Sequence, residues 1–191
     1  MVRLNKIYTR TGDGGETGLA DGSRIRKDDP LAQAIGDVDE ANSAIGVALL
    51  HVADTDVGAM LQRVQNEMFD LGADIATPGE DFAPTDMALR IVQPQIDRLE
   101  AEIDRMKERL EPLRSFILPG GESGSAYLHV ARSIVRRAER AGVAASREKA
   151  LNPLALTYLN RLSDHLFVAA RYLANGNGGD ILWKPGGTRY D

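Results

Sequence analysis

The residues best suited to chemistry stand in one run near the start of the chain, Tyr8-Thr9-Arg10-Thr11-Gly12-Asp13-Gly14-Gly15-Glu16-Thr17-Gly18. Four glycines and three threonines in so short a stretch disfavour helix, because glycine loses the most backbone entropy and threonine is stiff at χ1. They favour a tight loop with bare N–H groups and hydroxyls. Such a loop can wrap a phosphate chain, since glycine lets the backbone approach closely. Lys6, Arg10, Arg24, Arg26 and Lys27 bracket it with positive charge. The simpler alternative is a flexible arm with a polar turn. The run is not a Walker loop, because no Gly-Lys-Ser/Thr follows at the required spacing. It is not a Rossmann fingerprint either: Lys6 to Thr9 could be a short strand, but no helix opens directly on the glycines.

A second group lies far downstream. Arg132, Arg136 and Arg140 are spaced by four, so on a helix they share a face, with Arg137 and Glu139 between them. Three guanidinium groups in a column repel one another unless something anionic faces them. A polyphosphate would serve, and so would a solvated surface tempered by Glu139 and neighbouring acids. Asn160 could read an adenine edge or a ribose hydroxyl, or make a buried hydrogen bond. Asp39 and Asn42 fall close to the apolar face of an earlier helix, and a carboxylate there needs a cation, for which the arginine column is the obvious source. A di-iron centre is excluded, because none of His51, His129 and His165 has a glutamate three residues before it. No Gly-x-Ser-x-Gly nucleophile occurs, and no metal-ligand set is read.

Helices must position these groups. Asp29 as N-cap and Pro30 in the first turn open a helix from about Leu31 to His51, with Ala34, Ile35, Val38, Ala41, Ile45 and Leu49 inward. From Asp54 the positions Val57, Leu61, Val64, Met68, Leu71 and Ile75 form a heptad-like seam, ended by Thr77-Pro78-Gly79. A third helix runs from Pro94 to about Leu110, with Glu100, Asp104, Arg105 and Glu108 on a solvated face. Phe116-Ile117-Leu118 leads extended into Pro119-Gly120-Gly121. A fourth helix runs from near Ser123 to about Glu148, with Tyr127, Val130, Ala131, Ile134, Ala138 and Ala141 on one face. A fifth opens at Asn152-Pro153 and ends at Asn175. Ile181-Leu182-Trp183 makes a short apolar touch-down before a loose tail. Short connections between such helices predict an all-α, antiparallel five-helix bundle. The reading is one domain over 1–191: a loop segment 1–30, the bundle 31–175 and a tail 176–191.

The composition fits this. The chain has 191 residues, 43% hydrophobic and 27% charged, which is globular rather than disordered. A net charge of −5 argues against a general nucleic-acid or membrane-surface binder. There is no cysteine, hence no disulfide or thiolate chemistry. No apolar run has the length of a membrane span and no signal-peptide core is visible, so a cytoplasmic protein is expected.

Several blocks together resemble the ATP:cob(I)alamin adenosyltransferases of the propanediol-utilisation type: Lys6 to Gly18; Arg26-Lys27-Asp28-Asp29; Gly36 to Gly46; Phe116 to Gly121; Leu128 to Arg140; and Leu159 to Asp164. They occur in family order over nearly the whole chain. The resemblance implies a homotrimer with active sites between subunits, and transfer of the adenosyl group of ATP to the cobalt of reduced cobalamin with release of triphosphate. It implies that Thr9, Arg10, Thr11, Gly12, Thr17, Gly18 and Lys27 wrap ATP. Arg136, Arg137, Glu139 and Arg140 would form the opposing phosphate-side segment, and Asn160 would contact the nucleoside. Arg132 would pair with Asp39 across a subunit boundary, and Phe116 would fill the lower axial face of the corrin. Mg²⁺ would travel with ATP, and a Co(II) reductase and an adenosylcobalamin-dependent enzyme would be partners. The chain departs from the family at Arg10, where lysine is common, at Gly14, where a larger residue often sits, and at Val135, often a cysteine. Arg10 keeps the charge but changes the phosphate geometry, which bears on loop affinity. A carrier or ATP-binding regulator of adenosylcobalamin would keep the same pockets without turnover. A purely structural bundle would leave both the loop and the arginine helix idle.

Overall fold

A computed structural model of the chain describes residues 8–85, 88–176 and 178–189. Five helices follow one another: α1 Pro30–Leu49, α2 Thr55–Ile75, α3 Gln93–Lys107, α4 Ser123–Ala145 and α5 Pro153–Asn175. Their starts are set by side chains that accept orphan backbone N–H groups. Asp29 accepts from Leu31 N, Asp54 from Asp56 N and Val57 N, Glu122 from Ser125 N, and Asn152 from Leu154 N. Prolines occupy the first turns of α1, α3 and α5, where a missing N–H costs nothing.

The pairings across helices fix an up-down-up-down-up course. Asn42 of α1 bonds the carbonyl of Gln65 on α2, and Arg137 of α4 reaches back to Asp37 and Glu40 on α1. Glu139 of α4 meets Asn160 of α5. Arg161 of α5 meets Glu100 of α3, which therefore runs parallel to α5. Helix α4 lies between α1 and α5, and at its start Gly124 passes the end of α1 so closely that a Cβ would lie 2.7 Å from the carbonyl oxygen of His51.

The seam of α2 is buried as its spacing predicts, from Val57 through Ile75. That of α4 is buried in part: the predicted Ala131 and Ala138 face in, Ile134 and Ala141 are half-buried, and Leu128 and Val135 replace Tyr127 and Val130. Leu128, Ala131, Val135 and Ala138 face the core, while Tyr127 and Val130 face out and His51 stacks on Tyr127 at 4.5 Å between ring centroids. The α4 face carries two adjacent apolar stripes, and the one with the smaller residues faces in because α4 sits closely between two helices. The predicted helix ends at His51, Leu110 and Glu148 overrun. There Arg109 N bonds Met106 O, Leu110 N bonds Lys107 O, and Glu148 N bonds Ala145 O, tightened turns rather than α-helix.

Four carboxylates are buried among the described residues, Asp37 on α1 and three more, and sequence patterning does not indicate them. Glu67 accepts from Tyr158 Oη at 2.8 Å and pairs with Arg98. Glu102 pairs with His165 Nε2 at 2.9 Å and with Arg63. Asp74 accepts from Arg90 at 2.7 Å, Ile91 N at 2.8 Å and Asn152 Nδ2 at 2.7 Å. Each charge is matched, as a buried charge must be. Burial of Glu102 raises its pKa, but the His165 hydrogen bond and the charges of His165, Arg63 and Arg105 outweigh this and hold the carboxyl below the usual range.

Two short segments complete the fold. Strands β1 Glu16–Gly18 and β2 Arg24–Arg26 pair antiparallel, Thr17 opposite Ile25, and Asp21-Gly22-Ser23 forms their turn with Gly22 at φ 83°. This hairpin was not anticipated, and Thr9 lies in no strand. Lys6 and Ile7, the other half of the suggested strand, fall outside the described residues. At the other end, Ile117 and Leu182 form an antiparallel bridge, with Leu118 N on Ile181 O and Trp183 N on Phe116 O, each at 2.8 Å.

Candidate functional site

The glycine and threonine run folds as a turn capped by the hairpin. Asp13 N bonds Arg10 O and Gly15 N bonds Gly12 O, while Lys27 N closes on Gly15 O at 2.9 Å. Arg24 Nη2 donates to Thr11 O at 2.8 Å and its Nε pairs with Glu16 at 3.2 Å. Thr9 and Thr11 share a hydrogen bond between hydroxyls at 2.8 Å. Gly12 lies against Lys27: a Cβ there would stand 3.3 Å from Nζ. Arg10 is the one non-glycine among the described residues with positive φ, at 63°, and its guanidinium lies 5.9 Å from the centre of the Tyr8 ring. A non-glycine residue in that conformation is strained, and such strain gathers at ligand clamps.

Two clefts hold six of the candidate site residues, Thr17, Gly18, Lys27 and Asp39 in one and Phe116 and Arg132 in the other; Thr9 to Gly12, Arg136, Arg137, Glu139, Arg140 and Asn160 line neither. The first, of about 620 Å³, has Thr17, Gly18 and Lys27 of the hairpin on one wall. Asp39, Ile35 and Phe69 from α1 and α2 form the other. The second, of about 470 Å³, is bounded by Phe116 and Trp183 on the paired segments and by Arg132 and Phe167 on α4 and α5. Phe116 is 78% exposed, so the ring is presented to the cleft rather than packed away; it meets Trp183 edge-on at 6.0 Å.

Arg136 and Arg140 lie exposed on α4, linked by Arg140 Nη1 to the Arg136 carbonyl at 3.0 Å, and Asn160 Nδ2 donates to Glu139 Oε1 at 2.8 Å. Arg137 faces elsewhere, toward Glu40 and, at 3.5 Å, Asp37. The arginine column therefore does not supply a cation to Asp39 within the chain. Asp39 itself is exposed, and the buried carboxylate of α1 is Asp37, which accepts from Gln33 at 2.8 Å. Arg132 is left in a particular state. Its Nε is buried without a hydrogen-bond partner, and among the described residues no carboxylate pairs with it. Burial, and then the nearby Arg136 charge, lower its pKa from the usual arginine value.

His129, one turn before Arg132, is buried, and its pKa is lowered by that burial and by Arg132, against a smaller opposing effect of Asp180. The folded state therefore keeps the imidazole neutral while the unfolded chain takes up a proton near pH 6.5. Its contribution to stability is complete above that pH and declines as the pH falls toward the folded value. Chemical denaturation between pH 7.5 and about 5 is expected to show this slope, and His129→Gln is expected to flatten it. An equal slope in both proteins would place the titration elsewhere.

Residue type and spacing pointed to the loop and the arginines, whereas Phe116 entered only through the family resemblance. Trp183, expected as a short apolar touch-down, and Phe167 on α5 are walls of the second cleft that the sequence did not indicate. Nor did it indicate the pairing of Arg137 with α1. The remaining signal for Trp183 was an apolar triplet isolated between glycines and a polar end.

The molecule is thus an all-α helical-bundle protein with the Gly/Thr hairpin beside one cleft and the arginine-bearing α4 beside a second, aromatic one. The chain belongs to the cobalamin adenosyltransferase family, whose model matches residues 7–173. It is 51% identical over 191 residues to a corrinoid adenosyltransferase of Mycobacterium tuberculosis, spanning 98% of this chain and 97% of that one. It is 40% identical to one from Bacillus subtilis, over 94% and 92% of the two chains. Its fold is similar to that of a variant PduO-type ATP:corrinoid adenosyltransferase from Lactobacillus reuteri complexed with cobalamin and ATP. The TM-score is 0.84 at 37% identity, covering 94% of this chain and 99% of that one.

Proposed function

We propose that this chain transfers the 5′-deoxyadenosyl group of ATP to the cobalt of cob(I)alamin, forming adenosylcobalamin and releasing triphosphate. The observation that carries the reading is the divided site. Asp39, with no cation partner among the described residues, lies in the hairpin cleft, and Arg132, with no anion, lies in the Phe116 cleft. Among the described residues one chain leaves both without an ion pair, and the half-buried Arg132, whose Nε is buried without a partner, gains most from an anion. Apposition of two copies in a homotrimer joins Asp39 of one subunit to Arg132 of the next and brings the two clefts together.

In the joined site Thr9 to Gly12, Thr17, Gly18 and Lys27 hold the phosphates from one side. Arg136 and Arg140 neutralise them from the other, and Asn160 contacts the nucleoside. The Co(I) centre attacks C5′ of ATP; a Co–C bond forms, the C5′–O bond breaks, and its electron pair leaves on triphosphate. Cobalt supplies both electrons, so no side-chain base is required. The protein's task is positioning and charge neutralisation. Mg²⁺ would travel with the triphosphate; among the described residues no group of three or more His, Asp or Glu side chains would hold it separately. Phe116 shields the lower axial face, which keeps water off cobalt and makes Co(II) easier to reduce. In this reading the protein acts in the cytoplasm, where a Co(II) reductase would supply Co(I) and an adenosylcobalamin-dependent enzyme would take the product.

The test is spectral. Protein, ATP, Mg²⁺ and chemically reduced cob(I)alamin are mixed anaerobically; the Co(I) band is expected to disappear as a light-sensitive alkylcobalamin forms. A folded protein that binds ATP and leaves the band unchanged would point to a carrier or regulator instead.

A further inference from the structure

Arg132 has its Nε buried without a hydrogen-bond partner, and no carboxylate among the described residues fixes its guanidinium. What lies beside it is an aromatic face: the Arg132 Cζ stands 6.0 Å from the centroid of the Phe167 ring. A guanidinium over such a face is attracted by the ring quadrupole, the more so when it is partly out of water. Phe167 has a second contact on α4. His129, one turn before Arg132 on α4, meets it edge-on at 6.1 Å with an interplanar angle of 66°. The ring, carried by α5, thus meets two side chains of α4, and it forms a wall of the cleft that Phe116 and Trp183 enclose.

We propose that Phe167 is a positioning residue, holding the Arg132 guanidinium at the mouth of the aromatic cleft in the orientation that receives the neighbouring subunit's carboxylate. This rests on the functional reading above. The ring preorganises a flexible side chain, so the intersubunit pair forms without the loss of several rotatable bonds at that moment. A hydrogen-bonding residue in its place would compete for the guanidinium, whereas a ring holds it in place and leaves its N–H groups free.

The test compares Phe167→Leu, which keeps bulk and removes the ring face, with Phe167→Tyr, which keeps the face. For Phe167→Leu, kcat/KM for cob(I)alamin is expected to fall about fivefold to tenfold, with the KM for ATP changing less than about twofold; Phe167→Tyr is expected to stay within about twofold of the parent. In an Arg132→Gln background the same Leu substitution is expected to have no further effect, since the two residues act as a unit. Parental kinetics in Phe167→Leu, or an equal loss in the Arg132→Gln background, would overturn the proposal. Phe167→Met carries the same comparison if the leucine variant does not fold. Crystals of the variant read the point without turnover: the guanidinium is expected to leave its place, and an unmoved one would refute the role of the ring. A parent protein that forms no adenosylcobalamin would instead overturn the functional reading, with the crystallographic result still deciding this one.

Discussion

Arg136→Ala is expected to lower kcat/KM for ATP by about a hundredfold to a thousandfold while leaving the bundle folded. The side chain is exposed on α4 and makes no ion pair among the described residues; only its backbone carbonyl is used, by Arg140. Its removal therefore takes nothing from the core. In the proposed site the charge on the departing triphosphate grows as the C5′–O bond breaks, and a guanidinium aimed there is worth more in the transition state than in the ground state. The loss should consequently fall on kcat as well as on KM. Arg136→Lys, which keeps the charge but not the planar fork, should recover part of the loss. Rates of adenosylcobalamin formation at varied ATP, with circular dichroism to confirm the fold, make the measurement. Unchanged kinetics for Arg136→Ala would remove the α4 arginines from the phosphate site.

The second large effect is structural. Asp74→Ala is expected to destabilise the protein by about 3–5 kcal/mol, the scale for breaking a buried pair and stranding the opposite charge. The Asp74 side chain is fully buried and that of Arg90 is 5% exposed. One carboxylate oxygen takes the arginine, and the other takes Ile91 N and the Asn152 side chain. Asp74 therefore pins three separate pieces of chain: the end of α2, the approach to α3 and the N-cap of α5. Arg90 spreads the attachment further, donating to the carbonyls of Thr77 and Asp81. Urea denaturation of Asp74→Ala and of the double variant Asp74→Ala/Arg90→Met should separate the stranded charge from the lost hub, with the double variant recovering part of the loss. A single-variant loss below about 1 kcal/mol would show that the pocket admits water.

Much of the fold was legible because burial leaves a periodic trace. The α2 seam is apolar where it must be and flanked by polar residues, so one rule finds it. On α4 the trace divides: Leu128 and Val135 alternate with Tyr127 and Val130, and only packing against α1 and α5 decides which stripe turns inward. The buried carboxylates Glu67, Asp74 and Glu102 left no trace at all, because a charged residue inside a helix reads as solvated. Their compensation comes from partners such as Tyr158, Asn152 and His165, remote in sequence. The hairpin strands are three residues each, too short for alternation to show. For the candidate site, residue type pointed to Gly12, Lys27 and Arg136, while Phe116 came only from the family resemblance. Spacing along a chain says nothing of which face of a bundle a loop folds onto, so the division into two clefts, and the aromatic wall of Phe167 and Trp183, waited for coordinates.

The pairing of Ile117 with Leu182 also has a temporal side. Ser115 and Trp183, joined by a hydrogen bond from hydroxyl to carbonyl, stand 68 positions apart, and all five helices lie before Trp183 in the order of synthesis. A nascent chain leaving the ribosome can therefore assemble its five helices before the segment that closes the aromatic cleft has been made. A product terminated just before this segment would carry the whole bundle and leave the second cleft without its Trp183 wall.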